Sequence, residues 1–313
     1  MCDIVIFLKK GTDMKIKMLA WSMFAAASIV LTGCGSSGQS PTVKLDKASE
    51  KRLASAVSSL QTFNLSISNG TNVTNNKLIA KGVEKAEKIA ILGKAVSDEA
   101  ECQAGGTISV NGDDDSDNGF VTIVFEQCRD NYGTYADGTM TVKTEKDSDK
   151  YSVTLEFDNF HMKDGNGNSA DFTKITETVE GDIDGPNMSL SITGSGKVEN
   201  NYDKIEFDIR KFDLKSNTNE NKIAFGMDVS VKSNCIGGWI VIKTTSDIVA
   251  TNDTLSSGTL VVEGEGNSKI TYEALGNNRI KVTDPDGESK EYESLDDYFD
   301  QNSDDTSCQA AGH

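Results

Sequence analysis

The sequence predicts a mainly β protein: an antiparallel multi-hairpin sheet, whether a curled sheet, a half-barrel or a sandwich, with a helical segment near the amino terminus. Three observations carry this. From Gly105 onward apolar residues recur at every second position, as in Val121, Ile123 and Phe125, in Tyr151, Val153, Leu155 and Phe157, and in Ile223, Phe225, Met227, Val229 and Val231. Period two is the signature of a strand with one buried face. Turn-forming clusters separate the runs, among them Asp164-Gly165-Asn166-Gly167-Asn168 and Asp184-Gly185-Pro186-Asn187, as hairpins require. Only three prolines occur in 313 residues, so few strands are interrupted.

Taken in order, Gly35 to Pro41 is rich in Gly and Ser and reads as a flexible tether, bounded here as residues 34–45. Asp46 is a suitable N-cap for a helix to about Leu60, with Leu53, Ala56, Val57 and Leu60 on one side. Phe63, Leu65 and Ile67 alternate as a short strand. Ile79, Val83, Ala86 and Ala90 return to helical spacing, so a second helix is expected from about Asn76 to Leu92. The alternating runs that follow amount to ten to thirteen strands. Ile205, Phe207 and Ile209 lie in one phase and Phe212 and Leu214 in the other, which calls for a bulge near Arg210-Lys211. Residues 46–234 are expected to hold the helical segment and the main β domain, and residues 235–313 a C-terminal β subdomain with an acidic tail.

The amino terminus carries a second signal. Met18 to Leu31 holds no charge, follows Lys15 and Lys17, and at 14 residues is too short to span a bilayer. A basic stretch, a short apolar run and small residues before a cut site describe a signal peptide, residues 1–33. Met14 is the better start, which would make residues 1–13 an extension. Leu31-Thr32-Gly33-Cys34 resembles the lipobox of bacterial lipoproteins. That resemblance implies cleavage before Cys34, a lipid on its thiol, and membrane contact through that anchor. With Gly35 rather than Asp after the cysteine, it also implies the bacterial outer membrane.

The full chain carries a net charge of −18, and residues 34–313 carry −20. This excludes a nucleic-acid binder, which needs a basic patch to displace phosphate counterions. Cys102, Cys128, Cys235 and Cys308 are even in number, as expected for disulfides in an exported chain. Four cysteines allow three pairings, and sequence alone does not choose among them; Cys102–Cys128 and Cys235–Cys308, each enclosing a β unit, are the expected pairs. Cys102-Gln103-Ala104-Gly105-Gly106 and Cys235-Ile236-Gly237-Gly238 each lead into a strand. This resembles uncharacterised β-rich lipoproteins of Gram-negative bacteria and carries no activity with it.

Chemistry is sparse. His161 is the only internal histidine, and a packed or rim position is its expected role. Thr193-Gly194-Ser195-Gly196-Lys197 lacks the first glycine and the final Ser/Thr of a phosphate loop and is expected to be a hairpin turn. No metal site is expected from Cys and His. Calcium is the one cofactor raised, by Asp113, Asp115 and Asp117 and by the turn of Asp164, Asn166, Asn168 and Asp171. Both lack the Gly and Glu of an EF-hand, and a hydrated hairpin tip competes with each. The expectation is a non-enzymatic, membrane-anchored protein with a binding, scaffolding or surface role. Its alternatives are a carrier of a lipid or other hydrophobic ligand and, after that, a hydrolase. The concave face of the sheet discriminates between the first two.

Overall fold

The computed structural model describes residues 39–53, 96–115, 118–165, 167–183, 185–199, 204–252 and 254–302. The expected signal peptide, lipobox and Cys34 lie outside these residues. So do the strand at Phe63, the helix at 76–92, and Cys308.

Fourteen strands form one antiparallel sheet in strict sequence order, each pairing only with its neighbours in the chain. They are β1 (Val96–Glu101), β2 (Thr107–Asp115), β3 (Asn118–Arg129), β4 (Tyr135–Asp147), β5 (Lys150–Lys163), β6 (Ser169–Asp182), β7 (Asn187–Glu199), β8 (Lys204–Asn217), β9 (Lys222–Ser233), β10 (Gly238–Thr251), β11 (Thr254–Glu263), β12 (Lys269–Gly276), β13 (Arg279–Thr283) and β14 (Ser289–Tyr292). The sheet does not close into a barrel. Among the described residues two helices accompany it: α1, described over residues 47–53, and α2, Leu295–Asn302. Mainly β was the expectation, and the strand count slightly exceeds it. β1, Val-Ser-Asp-Glu-Ala-Glu, has no apolar alternation to announce it.

The register places every alternating apolar run on one face of the sheet. Val96, Gly112, Val121, Val142, Leu155, Glu177, Ile192, Phe212 and Met227 stand directly opposite one another from β1 to β9. Thr144, Val153, Val179, Leu190, Leu214, Phe225 and Ile248 make a parallel row from β4 to β10. The opposite face carries Thr and charged residues, for instance the Thr122–Thr141 and Thr154–Thr178 hydroxyl pairs and the Lys143–Glu156 ion pair at 3.0 Å.

Bulges interrupt the ladders between Phe125 and Cys128, Asp137 and Thr139, Phe172 and Lys174, Ile192 and Gly194, and Ile209 and Lys211. The last of these is the bulge expected near Arg210-Lys211. Each adds local twist and lets the apolar phase survive along a strand of 12 to 14 residues. Gly194 shows why the expected turn at Thr193–Lys197 is wrong. These residues lie inside β7, and Gly194, with φ +138°, sits where a Cβ would come within 2.2 Å of Lys174 O. The glycine is there for the bulge in β6, not for a hairpin. Gly196 then stands opposite both Phe172 and Phe207.

Two clusters form the core. The smaller joins Ile108, Val110, Ile123, Phe125, Met140 and Phe160 with the disulfide-bonded Cys102 and Cys128, whose Cα atoms are 5.5 Å apart. The larger spans β7 to β14 and includes Leu45 and Leu53 from the amino-terminal side. There residues 39–45 run as an extended strap. Thr42 N–H donates to Trp239 O at 3.0 Å, Glu265 N–H to Val43 O at 2.7 Å, and Leu45 N–H to Ser268 Oγ at 2.8 Å. The strap passes so close that a Cβ on Gly264 would meet Val43 O at 2.5 Å. Asp46 caps α1 as expected, accepting from Ser49 N–H at 2.7 Å.

Candidate functional site

The apolar face divides into two parts. Over β12–β14 it is filled: Tyr298 of α2 packs against Tyr272 and Tyr292, and its hydroxyl donates to Glu50 of α1 at 3.2 Å. Over β3–β7 the same face is half-buried, with Val121, Val142, Val153, Leu155, Phe157, Val179 and Leu190 all partly accessible. No described helix lies on this part.

Glu177 sits in the middle of it, between Leu155 and Ile192 in the row. Among the described residues its carboxyl has neither a hydrogen bond nor an ion pair, and burial pushes it above the ordinary carboxylate value. The folded chain therefore keeps this proton to higher pH than the unfolded chain does. Its stability contribution is favourable below the ordinary glutamate pKa and is lost as pH rises through the raised one. Glu177→Gln removes that loss. Melting of the two proteins across pH should coincide in acid and diverge as pH rises, with the variant the more stable. Parallel curves would show that Glu177 is well solvated.

At the hairpin end of β4–β8 the rows run into a groove of about 630 Å³. It is lined by Lys146, Tyr151 and Met188, which continue the apolar face, and by Lys150, Asp182 and Lys215, which alternate with them onto the polar face. The Tyr151 ring lies over Gly181, where a Cβ would come within 2.7 Å of its hydroxyl. The groove thus lies where the two faces meet at the end of the strands, with Lys146 the charged residue that continues the apolar face.

The residues singled out by sequence fall elsewhere. His161 is in β5 on the polar face, where its Nδ1 hydrogen-bonds Asp171 and Lys197 approaches the other Asp171 oxygen at 3.2 Å. Burial raises the Asp171 carboxyl, but the hydrogen bonds from His161 and Lys197 outweigh it and hold the group below its ordinary value. In register, Asp137, His161, Asp171, Lys197, Glu206 and Lys232 form one row in which carboxylates alternate with His161, Lys197 and Lys232. Asp164 closes the β5–β6 hairpin by accepting from Asn168 N–H at 2.9 Å. Asp113 and Asp115 fall in β2, paired with Phe120 and Asn118, and Asp117 lies outside the described residues. Among the described residues no group of three or more His, Cys, Asp or Glu could hold a metal ion. Asp208, opposite Ser195 and Ser230, leaves one buried oxygen without a hydrogen bond. Sequence reasoning missed Glu177, because Thr176-Glu177-Thr178 reads as ordinary polar strand and only the neighbouring registers place it among apolar residues.

No family model, curated protein or solved structure matches the chain.

Proposed function

We propose that the chain is a non-enzymatic lipoprotein of the bacterial outer membrane, tethered through Cys34, whose body works by binding a hydrophobic chain with a polar head. The observation that carries this is the half-buried apolar surface of β3–β7, which ends at Tyr151, Met188 and the cationic Lys146. An amphiphile would lay its acyl part along Val142, Leu155 and Leu190 and its head at Lys146, beside Tyr151 and Met188 at the end of that face. Burying apolar area is worth about 25 cal/mol per Å², and a shaped surface with a few polar groups at one end is the usual form of such a site. Support for binding over catalysis comes from His161, which is tied to Asp171 on the opposite, polar face. The same reading gives Cys235 the partner Cys308: Cys235 lies 3.6 Å from Arg52 O beside α1, and Cys308 follows α2 by six positions.

The test uses the membrane-extracted chain, whose intact mass should equal residues 34–313 plus a diacylglycerol-based anchor. After delipidation of the solution, a fluorescent long-chain fatty acid should bind saturably. Leu155→Asp should weaken binding about tenfold, a loss of about 1.4 kcal/mol. Thr154→Asp, on the polar face, and His161→Ala should leave it unchanged. Absence of saturable binding, or equal loss from Thr154→Asp, would overturn the reading.

A further inference from the structure

Two charged side chains break the apolar face between β4 and β8: Lys146 in β4 and Glu177 in β6. Lys146 is exposed and ends the face, in one row with Tyr151, Gly181 and Met188. Glu177 stands inside the face. Leu155 and Ile192 flank it across the ladders, and Ile175 and Val179 flank it along β6. It is half-buried, and among the described residues its carboxyl meets no hydrogen-bonding or ionic partner. Burial alone raises its pKa. A carboxyl in that position loses water without gaining a protein partner, which is unfavourable unless a ligand supplies one.

We infer that the amphiphile is a long-chain acid with a hydroxyl near the middle of its chain, its carboxylate at Lys146 and its hydroxyl at Glu177. This rests on the binding reading above and narrows it to one chemical class. Register sets the spacing. Gly181, in the row of Lys146, lies four residues along β6 from Glu177, which is about 13 Å at about 3.3 Å per residue. Lys146 is also two strands from β6, about 10 Å across, so the full diagonal is about 16 Å. An extended chain advances about 1.2 Å per bond, as an extended residue of three backbone bonds spans about 3.6 Å. The separation is therefore about 11–13 bonds, which puts the hydroxyl at about the twelfth carbon. A hydroxyl both donates and accepts, so it pairs with the Glu177 carboxyl whether that group is ionised or protonated. An ammonium there would pair only with the carboxylate and would bring a second charge out of water. A plain methylene would leave the carboxyl unpaired, and a site that hydrogen-bonds a hydroxyl rejects the analogue lacking it. Lys146 is exposed, so a carboxylate paired with it keeps water on its other side.

Competition binding to the membrane-extracted, delipidated chain tests this. A bound fluorescent long-chain fatty acid is displaced by stearic acid, by 12-hydroxystearic acid and by 2-hydroxystearic acid, each below its aggregation concentration. The 12-hydroxy acid is expected to compete about tenfold more strongly than stearic acid, the worth of one hydrogen bond to a half-buried carboxyl. The 2-hydroxy acid, whose hydroxyl lies beside the head, should compete no better than stearic acid. Glu177→Leu, which removes the hydrogen-bonding group and keeps apolar bulk, should abolish the preference by strengthening stearic acid binding. Glu177→Gln, whose amide still pairs with a hydroxyl, should retain most of it. Equal displacement by all three acids, an equal gain from either hydroxyl position, or a preference that survives Glu177→Leu would each overturn this inference and leave amphiphile binding standing. Failure of the fluorescent acid to bind saturably would overturn both.

Discussion

Replacing Tyr298 by alanine is expected to lower the folding free energy by about 3–5 kcal/mol, the usual cost of removing a fully buried aromatic side chain. Tyr298 is 0% exposed. Its ring meets Tyr272 at 5.4 Å, Tyr292 at 5.2 Å and Phe299 at 5.3 Å, each edge-on. Such pairs add about 0.5–1.5 kcal/mol beyond their buried area. The hydroxyl, 3.1 Å from that of Tyr272, also donates to Glu50, whose carboxyl burial pushes up. Tyr298 is thus the residue through which α2, α1 and the sheet meet, and its loss should loosen both helices. Tyr298→Phe keeps the packing and should cost only about 1 kcal/mol. Urea unfolding of the two variants separates the contributions. A loss below about 1 kcal/mol in the alanine variant would show that the ring cluster repacks without it.

The second large effect is expected from Cys102→Ala/Cys128→Ala. The bond closes a separation of 26 residues, worth about 3 kcal/mol in the loop-entropy model. Its position matters as much as its length. Cys102 follows the edge strand β1, and Cys128 lies in β3, so the bond reaches past β2 and pins the edge of the sheet to its interior. The double variant should lose about 3 kcal/mol in urea unfolding and, before that, lose hydrogen-exchange protection in the β1–β2 ladder. Retention of both would show that the ladder and the cluster around Phe125 hold the edge alone.

What could be read from the residues was whatever is written locally. The alternation of Tyr151 to Phe157 and of Ile223 to Val231 marks strands because every second side chain is buried there. The phase change at Phe212 marks a bulge because the apolar face must stay on one side. Asp46 marks a cap because its side chain bonds three residues away. The failures are where a neighbour in space decides. Gly194 and Gly196 read as a turn on their own, and only the bulge in β6 and the rings of Phe172 and Phe207 make them strand. Glu177 reads as a surface residue until Leu155 and Ile192 are placed on either side of it. The candidate site was legible only as a question, whether the concave face is apolar and open, since the answer depends on nine registers at once.

The strict order of the sheet has a consequence for how the molecule assembles. Each strand pairs with the strand just before it, so the sheet can grow as a ribbon in which every new ladder closes only a short loop. Short closures are entropically cheap and fast. The strap and α1 are the exception. Residues 39–53 precede all fourteen strands, yet Thr42 pairs with Trp239, Leu45 with Ser268 and Glu50 with Tyr298, across separations of 197, 223 and 248 residues. They have nothing to dock on until β10 to α2 exist. Residues 39–53 must therefore wait for the far end of the sheet, and their docking is the event that distinguishes a finished molecule from a growing ribbon.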